Sequence, residues 1–156
     1  MPEISFRKFS SADATTFKAL NIEWLETYFV VEAIDELVLS NPQTEIIDKG
    51  GFVFMAIMEE KTVGTFAFIK KGEGIYEFSK MAVPPTLRGK GIGNLMMQFA
   101  IRFAEQHHWE KILLYSNTIL EILTAQTDFI VLAGFLWKIP ENIVTAFPNK
   151  IINIHP

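Results

Sequence analysis

The stretch KMAVPPTLRGKGIGNLMMQFA, Lys80 to Ala100, decides how the chain is read. It leaves an apolar segment through two prolines, passes a basic residue, meets glycine at every second position and then becomes amphipathic. Pro84 and Pro85 remove two backbone donors and end the strand before them. Ile92, Leu95, Met96, Phe99, Phe103 and Ala104 share one face of a helix expected from Ile92 to about His107. A helix N-terminus exposes unpaired N–H groups and a partial positive charge, so an anion held there needs few side chains. Gly89, Gly91 and Gly93 can take positive φ or leave room for a phosphate, and Arg88 and Lys90 add charge. The ligand group expected here is a pyrophosphate.

The bare spacing is weak, since Arg or Gln, two residues, Gly, one residue, Gly or Ala arises by chance in roughly one chain of this length in seven. Its setting between a strand and a long helix is what gives it weight. Two other glycine signatures fail. Lys90 is followed by Gly91 where the phosphate loop of nucleotide hydrolases needs Ser or Thr, and no glycine follows Gly93 at the spacing of the dinucleotide fingerprint.

Working outward, Ile4 to Phe9 alternates as a first strand, and Ser10, Ser11 and Asp13 supply helix-start residues. Phe17, Leu20, Trp24 and Tyr28, then Val31, Ile34 and Val38, step at helical spacing up to Asn41-Pro42, giving one long helix or two short ones. FVFMAIM, VGTFAFI and IYEFSKMAV read as three strands of an antiparallel meander, the first two joined by EEKT and the last two by a KKGEG loop. KILLYS is a further strand, parallel to IYEFSKMAV because a helix connects them. Past Asn117 the pattern is less defined: TILEILTAQTDFIVLA is compatible with helix, and GFLWKI and KIINI with strands. The fold class is α+β, a mixed and mostly antiparallel sheet with helices on its faces, in a single domain over residues 1–156.

With 156 residues, 49% of them hydrophobic, the chain is long enough for a sizeable core. The net charge of −4 argues against broad nucleic-acid binding, and the lack of cysteine excludes thiolate nucleophiles and cysteine metal sites. No apolar run approaches the roughly 20 residues of a membrane span, and Met1 to Ser10 alternates, so a cytoplasmic protein with no membrane partner is expected. His107 and His108 suit the negative end of a helix better than a metal, and no metal is expected.

Arg88, Gly91 and Gly93 resemble the cofactor motif of the GNAT superfamily of N-acetyltransferases. YEFSKMAVPPTLRGKGIG looks like that family's fourth strand and pyrophosphate loop, KILLYSN like its fifth strand, and LAGF, Leu132 to Phe135, like its late Gly-Phe turn. The resemblance implies acetyl-CoA as cosubstrate in a cleft between parallel fourth and fifth strands. Met81, Ala82 and Val83 would give the pantetheine backbone contacts, and Arg88, Gly89, Lys90, Gly91, Ile92, Gly93 and Asn94 would cradle the pyrophosphate. Asn117 matches a position near the pantetheine arm, or is a turn-forming residue after a strand. The activity implied is transfer of an acetyl group to a primary amine of a small molecule or peptide, by direct attack. The alternative is a non-catalytic acyl-CoA-binding or regulatory module. A homodimer is left open.

An alkylamine with a pKa of about 10.4 needs roughly 4 kcal/mol to lose its proton near neutral pH, whereas a thiol of pKa about 8.5 leaves largely as thiolate. A base therefore matters more than an acid. Glu77 matches a family position that often carries an acidic residue and is the candidate base; the competing reading is a solvent-facing strand carboxylate. The Tyr that often serves as general acid, four residues before the late Gly, is replaced here by Ile130. Trp24 and Tyr28 either line the acceptor cleft or fill core. Glu23, Glu26, Glu32, Asp35 and Glu36 would suit a cationic acceptor, or form a solvated helix face.

Overall fold

A computed structural model describes residues 3–114, 130–133 and 151–154. The chain forms strand β1 (Ser5–Lys8), helices α1 (Ala14–Tyr28) and α2 (Ala33–Ser40), and strands β2 (Phe52–Met58), β3 (Lys61–Gly72) and β4 (Ile75–Ala82). Helix α3 (Ile92–Gln106) and strands β5 (Lys111–Leu114), β6 (Ile130–Ala133) and β7 (Ile151–Ile154) complete it. The sheet order follows the chain order. β1 to β4 are antiparallel neighbours and β5 is parallel to β4, so the five-strand body is mixed and mostly antiparallel. β6 and β7 extend it as further parallel strands.

The helical spacing before Pro42 resolves into two helices: Phe29 turns extended, and α2 starts four residues later. Asp13 organises the start of α1. Its carboxylate accepts from the backbone N–H of Ser10 at 2.8 Å and the Ser10 hydroxyl at 3.0 Å, and it takes a two-pronged contact from Arg7 at 2.7 and 2.8 Å. Past Pro42 the chain makes a π-helical turn, Gln43–Ile47, which delivers Ile46 to the core.

Three expectations are corrected. KKGEG is not all loop, because β3 runs through Lys70 and Lys71 to Gly72 and leaves a tight turn at Glu73-Gly74. Residues 130–133, read within a helical stretch, are strand β6, where the β-branched pair Ile130-Val131 suits a ladder. EEKT shortens to Glu59-Glu60, both at positive φ (48° and 63°), the twist that a two-residue hairpin demands. GFLWKI lies outside the described residues.

Alternation divides the sheet into two apolar faces. Phe54, Phe66, Phe68, Tyr76 and Phe78 meet Met96, Ala100 and Phe103 of α3 on one side. Phe17 of α1, Leu39 of α2 and Ile46 pack on Val53 and Ala67 on the other. Phe66 and Phe68 are fully buried, each such ring worth about 2–3 kcal/mol of transfer free energy. At the end of α3 the N–H of Trp109 bonds the carbonyl of Ala104 at 3.0 Å and that of His108 bonds Glu105 at 3.1 Å, with His108 left-handed at φ 53°. His107 Nδ1 donates to the carbonyl of Phe103 at 2.7 Å, so the first histidine does serve the helix end.

Candidate functional site

The site is built where β4 leaves the sheet. Thr65 pairs with Ala82 and Ala67 with Ser79, so β4 carries one residue more than β3 across this interval. Lys80 sits in that bulge at φ 52°. The extra residue resets the alternation. Lys80 reaches the α2 side, where its ammonium meets Asp35 Oδ1 at 2.8 Å, and the Met81 methyl lies on the α3 side near Gly93. On the β5 side the described ladder runs from Ile75 and Lys111 to Phe78 and Leu114.

Beyond Ala82 comes a single 3-10 turn, Pro85–Leu87, followed by the glycines. Gly89 and Gly91 are left-handed, at φ 74° and 82°, a conformation that a side chain would strain. A methyl group built on either would meet no protein atom within 4 Å. Gly93 is helical, and its added carbon would lie 3.7 Å from the Met81 methyl, ordinary contact. The fold itself therefore does not require glycine at 93. The first amide of α3 with a backbone partner is that of Leu95, which donates to Gly91 at 3.1 Å. Among the described residues no protein acceptor meets the N–H groups of Gly89, Lys90, Gly91, Ile92, Gly93 or Asn94. Unpaired amides beside open space form a row of donors at the positive end of a helix of about four turns.

The predicted site residues divide by what the structure does with them. Lys90, Gly91 and Asn94 are exposed beside Gly93, while the Ile92 side chain is core and only its backbone faces the row. Ala82 is buried in the ladder opposite Thr65. The Val83 carbonyl accepts from Arg88 Nε at 3.1 Å. Arg88 itself turns away from the amides: its guanidinium is ion-paired to Glu23 of α1 and lies 5.6 Å from the centre of the Tyr28 ring. Asn117 lies outside the described residues.

Glu77 is opposite Ile69 and so faces the α1 and α2 side of the sheet. It is no solvent-facing carboxylate, being 13% exposed and paired with Lys71 at 2.7 Å. Trp24 and Tyr28 belong to neither core cluster. They form a partly exposed aromatic group with Phe29, ring centres 5.6 and 5.2 Å from Trp24. Of the acids read as one solvated or cation-binding set, Glu23, Asp35 and Glu36 are already joined to Arg88, Lys80 and Lys18. Sequence reasoning missed both ties to the β4 segment and the apolar run Tyr28-Phe29-Val30 at a helix end, the one signal that was open to reading.

A shallow depression of about 240 Å³ between Phe9, Ala14 and Pro42 contains no ionisable side chain and none of these residues. Among the described residues no three acidic or histidine side chains converge as a metal site, and no helix is long and apolar enough to cross a membrane.

Residues 16–123 match the model of the Acetyltransferase (GNAT) family, more than two thirds of the chain. The chain belongs to the GNAT acetyltransferase family. Solved structures agree on the fold. An acetyltransferase of the GNAT family from Staphylococcus aureus is 18% identical, with a TM-score of 0.65 over 73% of each chain. A predicted acetyltransferase from Clostridium acetobutylicum, solved with acetyl-CoA, is 16% identical with a TM-score of 0.61, covering 89% of this chain and 96% of that one. The spermidine/spermine N-acetyltransferase SpeG from Vibrio cholerae is 19% identical with a TM-score of 0.57, covering 74% of this chain and 70% of that one. A stretch of 29 residues is 59% identical to chloroplastic phosphoribosylglycinamide formyltransferase of Arabidopsis thaliana. That match covers 19% of this chain and only 10% of the plant protein.

Proposed function

We propose that the protein transfers an acetyl group from acetyl-CoA to a primary amine. The observation that carries this reading is the row of unpartnered amides from Gly89 to Asn94, with space kept open at Gly89 and Gly91. A diphosphate fits such a row through backbone donors and the helix field, with Lys90 adding charge from an exposed side chain. Met81 and Val83, at the exit of β4, would offer backbone groups to the pantetheine. When bound, acetyl-CoA supplies an activated thioester acyl group with a leaving thiol of pKa about 8.5.

The chain's part in the chemistry is orientation and proton removal. The acceptor ammonium gives one proton to Glu77, directly or through water; the neutral nitrogen then bonds to the acyl carbon as the carbon–sulfur bond breaks, the sulfur leaves as thiolate, and the excess proton left on nitrogen passes to solvent. Lys71 pairs with the Glu77 carboxylate at 2.7 Å and fixes it on the side of the sheet where α1 and α2 lie. Ile130, at the position of the family's usual acid, cannot protonate the sulfur, and a thiolate leaving group makes that tolerable. The same Ile130 supports a second reading, an acyl-CoA-binding module without turnover.

Thiol release on mixing protein, acetyl-CoA and a panel of amines tests the reading, alongside calorimetry with coenzyme A. Binding with turnover supports acetyl transfer. Binding without turnover on any amine supports the module, and the absence of binding overturns both.

A further inference from the structure

We propose that the acceptor is a monoamine carried on an apolar body, seated on the surface where α1 ends and α2 begins. The inference rests on the acetyl-transfer reading and narrows it to a substrate class. Tyr28, Phe29, Val30 and Ile34 are 57%, 50%, 81% and 58% exposed, and Trp24 packs against the first two. Single exposed apolar residues are ordinary, but four within seven positions of the chain, two of them joined through Trp24, suit a binding surface.

Two contacts fix where this surface stands. The Arg88 guanidinium lies against Tyr28, and Arg88 is the residue before the first glycine of the amide row. Asp35, next to Ile34, is joined to Lys80 in the β4 bulge. Both ends of the surface therefore abut the segment that would hold the coenzyme, and a molecule lying on it has one end directed to that segment.

Charge sets the number of ammonium groups. A polyamine needs several carboxylates, yet Glu23, Asp35 and Glu36 are each already matched by a cation of this chain. Glu26 and Glu32 remain at the rim, and among the described residues no cation pairs with either. Two carboxylates are fewer than the three ammonium groups of spermidine, and the apolar surface beside them favours a single amine on an apolar body.

The test compares phenethylamine with spermidine, using the full chain. Thiol release is expected to give phenethylamine a kcat/KM at least tenfold above that of spermidine. Phe29→Ser and Ile34→Ser, both at exposed positions that the core does not use, should each raise KM for phenethylamine roughly tenfold through lost apolar contact. Tryptophan fluorescence titrated with phenethylamine reads the surface independently of turnover, and its response should weaken in both variants. Spermidine preferred or equal, or a titration indifferent to both substitutions, overturns the inference. If coenzyme A binds in calorimetry while either of those results is found, only the acceptor class is wrong. If coenzyme A does not bind, the acetyl-transfer reading falls with it.

Discussion

Arg88 is ion-paired to Glu23, a residue 65 positions earlier on α1, and not to anything in its own loop. With the two side chains 26% and 36% exposed, such a pair contributes on the order of 0–1 kcal/mol, little enough for a diphosphate to compete. Replacing Glu23 by Gln releases the guanidinium while keeping the shape of its partner. Coenzyme A is then expected to bind a few-fold more tightly at low salt, with the gain shrinking as salt rises. Calorimetry at two ionic strengths checks this; weaker binding would mean that Glu23 positions the loop.

The two motif glycines differ in what a side chain would cost. Gly91→Ala forces a left-handed alanine and should cost about 1–2 kcal/mol of stability. Gly93→Ala should be neutral or slightly stabilising, by up to about 1 kcal/mol, because the position is helical and the methyl meets only Met81. The cofactor motif takes Gly or Ala at this position, so Gly93→Ala should leave coenzyme affinity near that of the parent, whereas Gly91→Ala should lower it. Melting temperature and dissociation constant measured on the same samples show whether the two positions part in this way.

Glu77→Gln keeps the side-chain volume on β4 but removes both the base and the pair with Lys71. Turnover is expected to fall roughly 10- to 100-fold near pH 7 and less at high pH, where more amine is already neutral. A pH–rate profile parallel to that of the parent would remove Glu77 from proton transfer.

Acid stability is tied to Asp13. The hydrogen bond from Arg7, helped by those from Ser10, holds its carboxyl down at about 2 from an ordinary 3.8, against the opposing effect of burial. The folded value is depressed, so the stabilisation is present above pH 3.8 and is lost as the pH falls toward 2. Because Arg7 is 47% exposed, the contribution is taken as roughly 1 kcal/mol, below what the full shift implies. Urea unfolding of Asp13→Asn should differ from the parent by about that amount at pH 6, with the gap closing between pH 4 and pH 2.

His108 closes the end of α3 in a left-handed conformation that glycine adopts without penalty. His108→Gly should therefore raise stability by about 0.5–1 kcal/mol, visible as a melting temperature a few degrees higher.

The elements from β1 to β5 were legible because their apolar residues repeat at the two or 3.6 residues their burial demands: FVFMAIM and VGTFAFI could hardly be anything but paired strands. The glycine loop was legible from its punctuation. What alternation could not reveal was the bulge at Lys80, since nothing in IYEFSKMAV announces an extra residue and lysine has no special liking for positive φ. Nor could spacing foretell that Glu23 and Asp35 reach Arg88 and Lys80, because those pairings depend on how α1 and α2 lie across the sheet. Trp24 and Tyr28 defied the usual burial of aromatic rings for a related reason: α1 extends past the apolar face that covers Phe17.

The additional residue in β4 gives the segment leading into the loop an odd count where a plain strand would have an even one. Were Met81 lost, Lys80 would follow Ser79 in plain alternation onto the α3 side, and its ammonium would no longer point to Asp35. Descendants of this chain are thus freer to exchange the letters of this stretch than to change how many there are.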